Sequence, residues 1–149
     1  MDATAERASS RSVKRAFFLD TSAWVAAAMP GQARHAEAKA AYAAALRGGN
    51  RILTTPMVLG EAHALFLRYL GGRLAQLAVE SVLADPSHTI VPVDEELVQA
   101  ALKSWVARFG DQGFSLCDAV SFETMKREGL TRALTIDHHF AVAGFETIA

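Results

Sequence analysis

Short apolar runs alternate along this chain with longer stretches of helical periodicity. Residues 16–20 read as a buried strand, Ala16-Phe17-Phe18-Leu19, closed by Asp20. Asp20-Thr21-Ser22 supplies N-cap chemistry for a short helix through Ala28, and Pro30-Gly31 breaks it. An Ala-rich helix over 33–47 stops at Gly48-Gly49. A second strand, Arg51 to Thr54, leads to Thr55-Pro56, with proline in the first turn of a helix that runs to Leu70 and ends at Gly71-Gly72. The pattern then predicts a helix over 73–84 and a third strand from Thr89 to Val93. A further helix, capped by Asp94-Glu95-Glu96, extends to about Phe109. After a glycine-containing loop at 110–114, Ser115-x-x-Asp118 opens a helix to about Glu128, ended by Gly129. Residues 131–136 make a fourth strand and 144–148 a fifth.

Strands that alternate with helices throughout predict an α/β sandwich with a mainly parallel sheet. A length of 149 residues and a hydrophobic share of 51% suit one compact domain without disulfides. Arg7, Arg11, Lys14 and Arg15 stand among Ser and Ala, without the long apolar region of a secretory signal. Residues 1–14 therefore read as a mobile, mildly basic tail ahead of a domain over 15–149. No apolar run approaches the roughly 18 residues that span a membrane. The single cysteine, Cys117, excludes an intramolecular disulfide and a Cys-rich zinc site. Its apolar neighbours make it a core thiol, and a cytoplasmic compartment fits. A net charge of −1 gives no global field toward nucleic acid, although clustered carboxylates would offset basic residues elsewhere. Arg34, Arg47, Arg51, Arg68, Arg73 and Arg108 read as solvated surface charge or as phosphate contacts.

Four acids sit where a carboxylate is out of place. Asp20 and Asp137 each end an apolar run, at the carboxyl ends of predicted strands. Ligands of open parallel sheets bind just outside those ends, so the two converge if their strands lie close together. Glu61 has Met57, Val58, Ala64 and Leu65 three and four positions away, which predicts a core-facing side chain. Asp118 has Phe114, Ser115, Ser121 and Phe122 at the same spacings, a partly buried face. A buried carboxylate needs a partner, a hydrogen bond or a metal. Each acid also has an ordinary alternative. Asp20 fits as a helix cap, Asp118 as part of a capping box, Asp137 as the start of a turn or helix, and Glu61 as the partner of a buried Arg. Taken together, the four suit a shared hard cation, Mg²⁺ or Mn²⁺, and a phosphodiester substrate. Such a cation polarises a phosphoryl oxygen, activates bound water and stabilises the leaving oxygen.

The segments Phe18-Leu-Asp20-Thr-Ser22-Ala, Thr55-Pro-Met-Val-Leu-Gly-Glu61-Ala, Phe114-Ser-Leu-Cys-Asp118-Ala-Val-Ser-Phe and Leu134-Thr-Ile-Asp137-His-His-Phe140 follow one another at characteristic spacing. Over residues 16–149 the set resembles the PIN-domain ribonucleases, and within them the VapC-type toxins of toxin–antitoxin pairs. The resemblance implies a PIN-like three-layer α/β/α sandwich with a central sheet of four to five strands. It implies metal ligation by Asp20, Glu61, Asp118 and Asp137, and an assisting hydroxyl at Thr21 or Ser22. Some relatives carry a further acid just after the last one, where this chain has His138 and His139. Those histidines read as proton carriers or phosphate contacts, or as a solvated pair at a helix start. Asp111, in the loop before Ser115, is a candidate for the pocket rim or a surface acid. His35 and His63 read as packing residues.

The resulting expectation is a Mg²⁺- or Mn²⁺-dependent endoribonuclease, the toxin of a type II pair, leaving a 5′-phosphate and a 3′-hydroxyl. By the same resemblance it would have a small antitoxin and form a homodimer. The helices at 56–70 and 73–84 would be docking surfaces or core. Two alternatives are a catalytically silent PIN-like module that binds RNA or protein, and a metal-dependent phosphatase.

Overall fold

The computed structural model describes residues 16–148, so the basic stretch read as a tail lies outside the described residues. Among the described residues the chain order is β1 (Ala16–Leu19), α1 (Thr21–Ala28), α2 (His35–Arg47), β2 (Arg51–Thr54), α3 (Pro56–Leu70) and α4 (Gly72–Ala84). There follow β3 (His88–Ile90), α5 (Glu95–Ala101), a π-helical segment (Leu102–Ala107), α6 (Leu116–Glu128), β4 (Ala133–Leu134) and α7 (His138–Val142). The four strands form one sheet in the order β3-β2-β1-β4. Every pairing is parallel.

Phe18 and Leu19 are both fully buried although they point to opposite faces of the sheet. Burial at successive positions is the mark of a parallel strand covered on both sides. Helices α1 to α4 pack on one another, and α5, the π-helical segment and α6 form a second group. With the sheet they complete a three-layer α/β/α sandwich. Phe122 of α6 sits at the centre of an aromatic cluster, with ring centroids 5.2 Å from Trp105, 5.0 Å from Phe114 and 4.8 Å from Phe140. Full burial of one such ring contributes roughly 1.5–3 kcal/mol. The cluster ties α6 to α7 and to the loop before Ser115.

Several predicted boundaries shift. The second helix begins at His35 instead of 33, because Arg34 adopts a left-handed conformation with φ 65°. The third strand occupies His88–Ile90 and stops short of Val93, since Pro92 has no N–H to donate to a ladder. The fourth strand contracts to Ala133–Leu134. The fifth strand predicted at 144–148 is not formed: one parallel bridge, Arg132 to Glu146, stands in its place. The chain turns there at Gly144, with φ 100°, and Phe145 N–H bonds back to Phe140 O.

The sheet order has one consequence for chemistry. β4, the last strand in sequence, lies directly beside β1, the first, with Leu19 opposite Leu134. The residues that follow the two strands, Asp20 and Thr135, therefore emerge side by side, and Asp137 comes two residues later.

Candidate active site

Asp20 is 3% exposed and caps α1, its Oδ2 accepting from Ser22 N at 3.4 Å. Two hydroxyls donate to the same oxygen, Ser22 Oγ at 2.6 Å and Thr135 Oγ1 at 2.8 Å. These hydroxyls are fixed in turn by the backbone after β4. Ile136 N donates to Ser22 Oγ at 3.1 Å, and Asp137 N donates to Thr135 Oγ1 at 3.0 Å. The first and last strands are thus joined at their carboxyl ends by a small polar lattice around one buried carboxylate.

Asp118 lies in the first turn of α6, where Ser115 Oγ accepts its backbone N–H at 3.0 Å. Its own Oδ2 meets His139 Nδ1 at 3.3 Å. Asp137 caps α7, its Oδ1 accepting from His139 N at 2.9 Å. The three aspartates repel one another. Burial pushes the Asp20 carboxyl up to about 6, against the stabilising hydroxyls of Ser22 and Thr135, with further upward push from Asp118 and Asp137. Asp118 is also raised, first by burial and then by Asp137, while His139 and Ser115 act against the rise.

Glu61 differs from its predicted placement. The buried line of α3 runs through Val58, Ala62 and Phe66, one position round the helix, so Glu61 is exposed and does not face the core. It still meets the same centre. The Cys117 thiol lies beside Glu61 and feels the charges of Glu61, Asp20 and Asp118. Burial, followed by these charges, drives the thiol far above its ordinary range. Cys117 is buried, as the sequence suggests, but it borders the acids.

Asp111 stands apart, exposed on its loop and accepting from the Gln112 amide at 3.4 Å. Of the arginines read as phosphate contacts, Arg34 pairs with Glu37, Arg51 bonds Thr89, and Arg68 and Arg108 lie over Tyr69 and Phe109. His35 Nδ1 meets Ala26 O at 2.7 Å and joins α2 to α1. A cavity of about 350 Å³ lies away from the acids and is lined by Trp24, Tyr42, Val82, Asp85 and His88 among others.

The PIN domain family profile matches residues 17–146. The chain belongs to the PIN-domain family. A second comparison points the same way at finer grain. The 23S rRNA-specific endonuclease VapC20 of Mycobacterium tuberculosis, in two strains, is 32% identical over 131 residues, covering 86% of this chain and 94% of the relative. The crystal structure of M. tuberculosis VapC20, described as a toxin that cleaves the sarcin–ricin loop, superposes with a TM-score of 0.77 at 31% identity. That superposition covers 87% of this chain and 96% of the other.

In this PIN domain, Thr135 is the polar residue that sequence reading passed over. It is fully buried, donates to Asp20, accepts from the Asp137 backbone N–H and lies 3.1 Å from Ser22 Oγ. The available signal was a hydroxyl next to the end of an apolar strand, two residues before an acid. Among the described residues, Thr21 Oγ1 is a buried hydroxyl without a hydrogen-bond partner, directly after Asp20 in the chain. Clustered carboxylates that raise one another, with an orphan hydroxyl next in sequence, fit a divalent cation bound through oxygen. No described helix is long and apolar enough to cross a membrane.

Proposed function

We propose that this chain is a Mg²⁺- or Mn²⁺-dependent endoribonuclease that cuts 23S ribosomal RNA at the sarcin–ricin loop, as the toxin of a toxin–antitoxin pair. Its class as a toxin-type ribonuclease rests on the PIN family and on VapC20. The observation that carries the site is the convergence of Asp20, Asp118 and Asp137 around the ends of β1 and β4, with Glu61 joined to them through Cys117.

Asp20, Asp118, Asp137 and Glu61 would hold the cation, directly or through water. When bound, the cation supplies charge for the phosphoryl oxygens and acidifies a coordinated water. The chain's own residues do the positioning. Ser22 and Thr135 both bond to Oδ2 of Asp20, so neither hydroxyl occupies Oδ1. The N-cap geometries of Asp20 and Asp137 hold these side chains at the end of the sheet before any ligand arrives. His139 holds Asp118 in place by a hydrogen bond.

A cytoplasmic location follows from a ribosomal substrate. An antitoxin has an apolar surface available on α3 and α4, where Leu67, Leu70, Leu74, Leu77 and Leu83 are exposed. The same helices offer a surface for a homodimer.

The test is incubation of intact ribosomes with the purified chain and Mn²⁺, followed by mapping of RNA ends. The expected result is one cut in 23S rRNA within the sarcin–ricin loop, absent with Asp118→Asn. Equal cleavage by that variant would overturn the site, and cleavage confined to another RNA would overturn the substrate.

A further inference from the structure

The last acid is followed by two histidines, and their ring nitrogens are placed with the carboxylates. The ligand atoms of Asp137, His138 and His139 all lie within 4.8 Å of one another. His139 Nδ1 is 3.6 Å from Asp137 Oδ1 and 3.3 Å from Asp118 Oδ2. His138 Nδ1 is 3.7 Å from Asp137 Oδ1. Donors held at about 2.0–2.1 Å from a tetrahedral cation are separated by roughly 3.3–3.4 Å. These spacings are close to that edge length, so a small movement would close Asp137, His138 and His139 on one ion, with a water as fourth donor.

The ring of His139 is held before any ion arrives. Its edge meets Phe114, with centroids 5.2 Å apart, and its backbone N–H is fixed by Asp137. The two imidazoles lie 4.4 Å apart at 48° to each other, near neighbours that are not stacked face to face. His138 is 81% exposed, so a solvated ion can reach the set from its side. Two nitrogens and one carboxylate are a different donor chemistry from the oxygen set around Asp20. Imidazole suits Zn²⁺ and its first-row neighbours, whereas Mg²⁺ prefers oxygen and keeps its waters.

We propose that Asp137, His138 and His139, with Asp118 beside His139, form a nitrogen-containing cation subsite that binds a first-row transition ion of the Zn²⁺ and Co²⁺ class in preference to Mg²⁺. The subsite shares Asp137 with the acidic centre and rests on the reading of that centre as a cation site. It gives the protein two unlike positions, a hard one at Asp20 and a borderline one at the histidines.

The test uses Co²⁺ as a spectroscopic probe. The chelator-treated full-length chain is titrated with Co²⁺ by visible absorption and with Mg²⁺ and Mn²⁺ by calorimetry. Wild type should develop the ligand-field bands of a tetrahedral nitrogen–oxygen site. His138→Ala and the double variant His138→Ala/His139→Ala should weaken Co²⁺ binding by at least the roughly 10–100-fold lost with an outer-shell partner. His138→Ala should leave Mg²⁺ affinity unchanged, and this exposed position keeps the variant folded. Asp20→Asn should keep the Co²⁺ bands and lose Mg²⁺. Bands unaltered in both histidine variants overturn the subsite, while loss of Mn²⁺ or Mg²⁺ binding in Asp20→Asn still supports the acidic centre. Failure of all three ions to bind wild type overturns both.

Discussion

Replacing Asp20 by Asn should stabilise the metal-free protein while abolishing its use of metal. The folded-state carboxyl titrates at about 6, against an ordinary value of 3.8. The folded chain therefore holds this proton more tightly than the unfolded chain does. The stability so conferred is complete below about pH 4 and is lost as pH rises through about 6. Each pH unit between the two values is worth about 1.36 kcal/mol, so charging Asp20 costs about 3 kcal/mol at pH 7. Asn has no such charge, caps helices as well as Asp, and keeps an oxygen that accepts the hydroxyls of Ser22 and Thr135. At pH 7 in chelator, Asp20→Asn should unfold with a free energy higher by up to about 3 kcal/mol. In a chain of this size that is about 6–12 °C in Tm. The gap should close toward pH 4. Mn²⁺ at 100 times its Kd should raise wild type by about 2.7 kcal/mol and leave the variant where it was. Urea unfolding at a series of pH values, with and without chelator, measures all of these. Equal stabilities at pH 7, or a gap that widens as pH falls, would refute the electrostatic account of Asp20.

Three further outcomes follow from the same geometry. Thr135→Val keeps the shape but removes a hydroxyl bonded to a charged carboxylate, so it should cost about 1.5–3 kcal/mol at pH 7, and less near pH 4 where Asp20 is protonated. Cys117 should resist thiol reagents in the native state and react on unfolding, because it is buried and its thiol is held protonated; rapid labelling of the folded protein would contradict this. Cys117→Ala should lower Mn²⁺ affinity by roughly 10-fold by releasing Glu61, with Cys117→Ser closer to wild type, and calorimetry reads the difference.

The strand ends were legible because an acid directly after an apolar run marks both a boundary and an exposed edge. That marking located Asp20 and Asp137 but left their distance open. Convergence depended on β4 lying beside β1, and chain order alone does not state sheet order. Glu61 shows where periodicity misleads. Helix α3 is apolar on more than one side, so counting neighbours three and four away could not separate the buried line through Val58, Ala62 and Phe66 from the adjoining exposed one. Thr135 was hidden by its own burial, since a threonine in a strand reads as ordinary packing. The fifth strand failed for a local reason: Gly144 and the bond from Phe145 to Phe140 spend the backbone on a turn, leaving one bridge for the sheet.

The hydrogen bond between Thr135 and Asp20 spans 115 positions. During synthesis, a chain that has emerged as far as β3 already contains Asp20 and Glu61, yet it lacks Asp118, Thr135 and Asp137. The buried acid then has neither its second hydroxyl nor its companions. Contacts this distant in sequence form late, because a long loop must close first. A toxin-type ribonuclease thus carries a delay in its topology: its acidic centre cannot assemble until the segment 115 positions after Asp20 has been made.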